Sequence, residues 1–303
     1  MSTLPSSIHV FERGWLSSNN VLVVGRHDTV LFDSGYLTHA PQTLELVRHA
    51  LAGRRLDRLY NTHLHSDHCG GNATLQAHFG CDTFIPAAEE EKVRHWDEDK
   101  LTFKATGQQC ARFTVDGVVN PGDVLKLGDV EWQVLGAPGH HAHSVIYYAP
   151  EHKLLLSADA LWQNGFGVIF PELEGDGGFA EARATLDLIG MLDVKLVVPG
   201  HGAMFEDIGP ALDRARRRLD FLSADPVRNA EYAVKVMLKF LLLERQQIKL
   251  ADVASLLGNM PVLAEANRRH LHKTPEEIGA WAIKQLTRAC AARIDGDTLL
   301  NDG

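Results

Sequence analysis

Residues 62–71 read THLHSDHCGG, with three histidines and one aspartate inside positions 63–68 and two glycines behind them. Imidazole and carboxylate are the donors that hold zinc and similar divalent cations, so this short run offers four ligands: His63, His65, Asp67 and His68. If the chain after Thr62 is extended, His63 and His65 face one side, because alternate residues share a face. Asp67 and His68 lie nearer Gly70 and Gly71. These two glycines are expected to supply a turn that redirects the second pair toward a second position.

Outward from this block, every further candidate ligand stands just past a short apolar run. RLYNTH ends at His63, WQVLGAPGH at His140, KLLLSAD at Asp159 and KLVVPGH at His201. In layered α/β proteins, ligands collect where the carboxyl ends of strands open into loops. Four such ends meeting would gather seven ligands, enough for two cations with one carboxylate left to bridge them.

The rest of the first half alternates strand-like runs, VLVVG (21–25), TVLFDSG (29–35), DTFIP (82–86), VEWQVLGAPG (130–139) and SVIYYAP (144–150), with a helical pattern at 41–53. The class is therefore α/β or mixed. Residues 87–122 break the rhythm and read as a partly helical excursion, either a lid or a solvated insertion. From Gly209 the pattern is helical over 211–225, 228–245, 250–258 and 275–293. Asp225-Pro226 reads as a hinge, which divides the chain into a catalytic domain, 1–224, and a helical domain, 225–303. Helix, helix and the Asp-Gly hairpin of IDGDTLL give the tail a winged-helix-like order. Its apolar face around Val236, Phe240 and Leu243 is expected to pack over the active edge or to form a homodimer contact.

Composition sets the partners. The chain has 303 residues, is 45% hydrophobic and carries a net charge of −9. Residues 227–303 hold 11 Lys and Arg against 9 Asp and Glu, which is no nucleic-acid footprint. Four irregularly spaced cysteines do not form a disulfide framework, and a reducing compartment fits them. The N-terminal stretch shows no basic-then-apolar leader. The apolar run 236–245 is interrupted by Lys239 and is too short to span a bilayer. A cytoplasmic protein acting on a small molecule, without a membrane partner, is the expectation.

HxHxDH at 63–68, PGH at 138–140, the aspartate of SAD at 159 and PGHG at 199–202, in this order, resemble the metallo-β-lactamase superfamily, the group that includes glyoxalase II and lactonases. LFDSG at 31–35 is similar to that family's early strand ending in aspartate, and the likeness runs over about residues 8–205. The resemblance implies an α/β fold, an αββα sandwich with the site at one edge. It implies one metal on His63, His65 and His140 and another on Asp67, His68 and His201, with Asp159 bridging. The run PGHHAHS departs from the family, which commonly has threonine after PGH, so His141 and His143 compete with His140, although the Gly139 turn favours His140. Aspartate at 159 resembles the glyoxalase II, lactonase and nuclease-like members, since many true β-lactamases place a cysteine ligand in that part of the chain.

The implied cofactors are two divalent metals, zinc first, with manganese or iron as alternatives. Two such ions roughly 3.5–4 Å apart hold a water between them as a hydroxide nucleophile. Asp67 is the expected catalytic residue, orienting that group and moving its proton. The leading function is hydrolysis of a small ester, lactone or thioester. A nuclease or phosphodiesterase, and a non-enzymatic metal-bound interaction protein, are the alternatives. Asp33 reads as a partner of a ligand histidine or a turn cap. Tyr36, Phe166 and Phe170 are either pocket walls or core. Cys69 reads as a packing residue, His141 and His143 as a polar rim, and His270 and His272 as a solvated helix end.

Overall fold

The computed structural model describes residues 4–302, so the first three residues of the N-terminal stretch read for a leader lie outside it. Six strands form a first sheet: β1 (Ile8–Phe11), β2 (Asn20–Val24), β3 (Thr29–Phe32), β4 (Arg58–Tyr60), β5 (Asp82–Pro86) and β6 (Gly117–Val119), adjacent in that order. Its first three strands are antiparallel, and β3 to β6 run parallel. The second sheet takes β7 (Val124–Leu127), β8 (Val130–Gly136), β9 (Val145–Ala149), β10 (Leu154–Ala158) and β11 (Leu196–Pro199), antiparallel except for the parallel β10–β11 pair.

Side-chain alternation builds the layers. In β2, Val21 and Val23 enter the core between the sheets while Leu22 turns outward; in β10, Leu154 and Leu156 go inward and Leu155 outward. Both faces of these strands are apolar because both are covered. Phe32, Trp132 and Tyr147 fill the centre, with Phe32 4.7 Å from Tyr147 and 5.0 Å from Trp132 between ring centroids. Burying each such ring is worth roughly 4–6 kcal/mol of transfer free energy before entropy is subtracted.

Helices α1 (Ala40–Leu51), α2 (Ser66–Cys69) and α3 (Asn72–Phe79) accompany the first sheet. Val47, Leu51 and Leu75 cover its outer face. The 87–122 excursion contains α4 (Glu90–His95) and α5 (Phe103–Thr106), then ends in β6, a strand its sequence did not announce. After α6 (Phe170–Glu174), α7 (Phe179–Met191) and α8 (Ile208–Ser223) cover the outer face of the second sheet with Leu186, Ile189, Leu212 and Leu219. The order helix, sheet, sheet, helix is the αββα sandwich.

The remaining helices are α9 (Pro226–Arg245), α10 (Val253–Gly258), α11 (Pro261–Ala266) and α12 (Pro275–Arg288), completed by a sheet of β12 (Gln247–Lys249), β13 (Ala292–Asp295) and β14 (Thr298–Asn301) in the order β12-β14-β13. Val234, Met237, Leu238 and Leu241 of α9 pack among Val253, Leu263 and Ala282, in a core that Val168 and Leu173 of the preceding part join. At the Asp225-Pro226 step the chain makes a capped corner, where Asp225 accepts a hydrogen bond from Val227 N at 3.1 Å. The other face of α9 lies on the catalytic side. Phe240 packs edge-on against Tyr36 at 5.1 Å, and the Tyr36 hydroxyl donates to Glu244 at 2.8 Å. Among the described residues, all four cysteines are free and no helix is long and apolar enough to cross a membrane.

Candidate metal centre

The site occupies the edge where β3, β4, β8, β10 and β11 end. Asp33 follows β3, His63 and His65 follow β4, Asp67 and His68 ride on α2, His140 lies beyond β8, Asp159 directly after β10, and His201 two residues after β11. The structure brings all seven candidate ligands into two groups, His63–His65–His140 and Asp67–His68–Asp159–His201, with the donor atoms of each within 4.8 Å of one another.

Asp159 stands between the groups. Its Oδ2 is 3.3 Å from His140 Nε2, while Oδ1 is 3.5 Å from His68 Nε2 and 3.8 Å from His201 Nε2. In the first group, His65 Nδ1 is 3.1 Å from His63 Nε2 and 2.8 Å from His140 Nε2. In the second, His201 Nε2 is 3.1 Å from Asp67 Oδ2. The donor set fits divalent cations. Burial, then mutual repulsion, holds His63 and His65 well below the ordinary imidazole range, which leaves neutral rings with free lone pairs; burial lowers His140 too, against the pull of Asp159. His68 Nε2 is buried and has no hydrogen-bond partner. A buried polar atom of this kind costs free energy unless something binds it.

Surrounding groups fix the ligands. Asp33 Oδ2 meets His68 Nδ1 at 2.7 Å, and Asp33 accepts from Thr62 N at 2.9 Å and Thr62 Oγ1 at 2.8 Å. Burial would lower His68, but Asp33 and Asp159 outweigh it and raise its pKa well above the usual value. Burial is likewise outweighed at Asp159, where His201, His68 and His140 hold the carboxyl low. Trp162 donates from Nε1 to Asp159 Oδ1 at 3.2 Å.

The glycines make the turn between α2 and α3 and do a second job besides. Gly70 and Gly71 are not at positive φ; a Cβ on Gly70 would stand 2.4 Å from Leu37 N, and one on Gly71 2.4 Å from Ser34 O. Lacking a Cβ, they let this turn lie against the 34–37 backbone. Gly200 is tighter still, since its Cβ would fall 2.1 Å from Asp159 Oδ1.

A narrow cavity of about 90 Å³ faces His65, Asp67, His140, Asp159 and His201, and α9 roofs it with Tyr232, Val236 and Phe240. On the far side of His65 a pocket of about 440 Å³ is walled by Lys92 and Thr102 of the excursion and by Phe170. Phe170 packs 5.2 Å from His65 and 5.6 Å from His140. Tyr36 is buried under α9; Phe166 is buried against the second sheet's helices but also lines a small cavity beside His140 and Asp159 and a cleft beside His201, while Phe170 packs directly on ligand rings. His141 is buried, not a rim residue; its Nε2 faces the buried Glu89 at 3.8 Å, and the more exposed His143 does so at 3.9 Å. Neither falls in a ligand group. Cys69 is a fully buried packing residue, while His272 is exposed at a turn. Sequence reading passed over Trp15, which stacks on His201 at 5.5 Å, and Trp162 beside it; no local motif marks either one.

The model of the metallo-beta-lactamase superfamily matches residues 13–201. The chain is similar to a hydroxyacylglutathione hydrolase of Brucella anthropi, 32% identical over 153 residues, 50% of this chain and 47% of that protein. It is similar also to the hydroxyacylglutathione hydrolase of Brucella ovis, 30% identical over 118 residues, 39% of this chain and 38% of that one. The matches thus span half or less of those relatives' length. Among solved structures, a metallo-beta-lactamase family protein from Thermus thermophilus aligns with TM-score 0.58 at 17% identity over 99% of this chain and 100% of that chain. A metallo-beta-lactamase from Pontibacter korlensis aligns with TM-score 0.54 at 18% identity over 70% of this chain and 96% of that chain.

Proposed function

We propose, because this chain belongs to the metallo-beta-lactamase superfamily, that it is a metal-dependent hydrolase of a small ester, lactone or thioester. The observation that carries the reading is Asp159, which turns one carboxylate oxygen to each ligand group. His63, His65 and His140 would hold one divalent cation, and Asp67, His68 and His201 the other, with Asp159 shared. Zinc suits the histidine and carboxylate donors, with manganese or iron as alternatives. When bound, two such ions lower the pKa of water and stabilise negative charge on a substrate oxygen.

The chain supplies the rest. Asp67 is only partly buried and lines the narrow cavity, so its carboxylate is placed to orient an attacking water and take its proton. Asp33 holds the His68 ring with Nε2 toward the centre. Tyr232, Val236 and Phe240 keep bulk water off the reacting groups. The Brucella relatives' name, hydroxyacylglutathione hydrolase, favours an acylated thiol as substrate. The division into a catalytic part, 1–224, and a helical part, 225–303, is supported by the sheet core that the first part builds without the C-terminal helices, although Val168 and Leu173 of the first part also reach into the helical core.

The test is metal analysis followed by one substrate panel. After reloading with zinc or manganese, the protein should hold about two equivalents per chain and hydrolyse an acyl substrate. Fewer than one equivalent sinks the metal reading. Turnover confined to RNA or phosphodiesters makes it a phosphodiesterase, and a loaded protein inert on thioesters, lactones, phosphodiesters, RNA and a cephalosporin points to binding without catalysis.

A further inference from the structure

Beside His201 a second cleft, of about 300 Å³, opens between Trp15, Trp162 and Tyr232, with Arg218 in its wall. Arg218 comes from α8, and its guanidinium carbon sits 4.2 Å from the Tyr232 ring centroid and 5.9 Å from that of Phe166. Stacking on a ring fixes the plane of the guanidinium, and so the direction in which its N–H groups point. Gly165, at φ +140°, leaves the necessary room, since a Cβ there would lie 3.1 Å from Arg218 Cδ.

The charge is what requires explanation. On the same helix Arg214 is paired with Asp207 at 2.9 Å and Arg216 with Asp187 at 2.8 Å. Among the described residues Arg218 has no carboxylate partner, and its Nε is buried without a hydrogen bond. A guanidinium held in a cleft wall without a counter-charge carries a desolvation cost that a bound anion would offset.

We propose that this cleft binds a carboxylate or phosphate borne by the substrate, held by Arg218, while Trp15 and Trp162 flank a planar segment leading to the metal centre. The proposal rests on the hydrolase reading and narrows it to acyl compounds with an anion at the end remote from the scissile bond. Trp15 is suited to that role, being 52% exposed while its inner face stacks on His201.

The experiment separates binding from turnover. Calorimetry on the metal-loaded protein would compare 4-acetamidobenzoate, its neutral carboxamide and 4-acetamidophenyl phosphate, all stable mimics. Hydrolysis would compare 4-(acetylthio)benzoate with 4-(acetylthio)benzamide. An anionic mimic should bind about tenfold tighter than the carboxamide, the size of one charge-assisted contact. The tighter of the two anions names the source. Arg218→Gln should erase that preference and raise the KM of the anionic thioester toward that of the neutral one. Equal binding of neutral and anionic mimics by the unaltered protein overturns the proposal without reference to any variant, as does a preference that survives Arg218→Gln. If the anion preference is present but neither thioester is cleaved, the anion site stands and the hydrolase reading falls. If both are cleaved without preference, the reverse holds.

Discussion

Oδ2 of Asp33 lies 2.7 Å from Nδ1 of His68, which leaves Nε2 of that ring to face Asp159. Asp33→Asn keeps the shape but removes the charge that fixes the ring's protonation, and metal affinity should fall about 10–100-fold. Competition against a chelator of known affinity checks this, and unchanged affinity removes Asp33 from the supporting role.

Asp67→Ala tests the division between holding metal and moving a proton. Because His68, Asp159 and His201 remain in its group, metal should be retained in large part. Turnover should fall by about a hundredfold or more, the scale of a lost general base. A parallel loss of metal and activity would make Asp67 a ligand alone.

Gly200→Ala puts a Cβ 2.1 Å from Asp159 Oδ1 and 3.0 Å from the Ala158 carbonyl carbon. Neither neighbour is a loose side-chain end, so overpacking should cost about 1–3 kcal/mol. Asp159 should shift with it, lowering metal content. A melting temperature and metal content equal to the parent's would show that the β11 end yields.

Metal-stripped protein should lose stability on mild acidification. Burial first, then neighbouring rings or cations, lowers the pKa of His63, His65 and His141, and burial lowers His140. The unfolded chain binds protons at these positions below about pH 6.5 while the folded chain does not, so their stabilisation is present above that pH and is lost as pH falls. His68, raised by its carboxylates, works in the opposite sense and contributes below that pH. Burial lowers His39 as well, and five groups against one give a melting temperature that drops between about pH 7 and 5. A flat or rising profile would contradict it.

The chemistry of the centre was readable because its donors are rare residue types placed at the ends of strong apolar runs, as in KLLLSAD and KLVVPGH. The weak strands were not: β6 has three residues and β7 alternates toward solvent, so neither shows a continuous apolar run. Tyr36 shows a further limit. Its place after DSG left pocket wall and core both open, and the choice falls to α9, roughly 200 positions away in sequence, which folds back and buries it through Phe240 and Glu244. The partnership of Trp15 with His201 is equally non-local, and so is the pairing of Arg218 with Tyr232. The turn at Gly70 and Gly71 was legible, but their close approach to residues 34–37 was not, because it depends on another stretch of backbone that the local sequence does not contain.

Asp159 gives the centre one more property. Since each of its oxygens faces a different trio of side chains, the two halves form chemically two cages but genetically one locus. A change at His63 or His201 therefore alters one donor group, whereas a change at position 159 alters both at once.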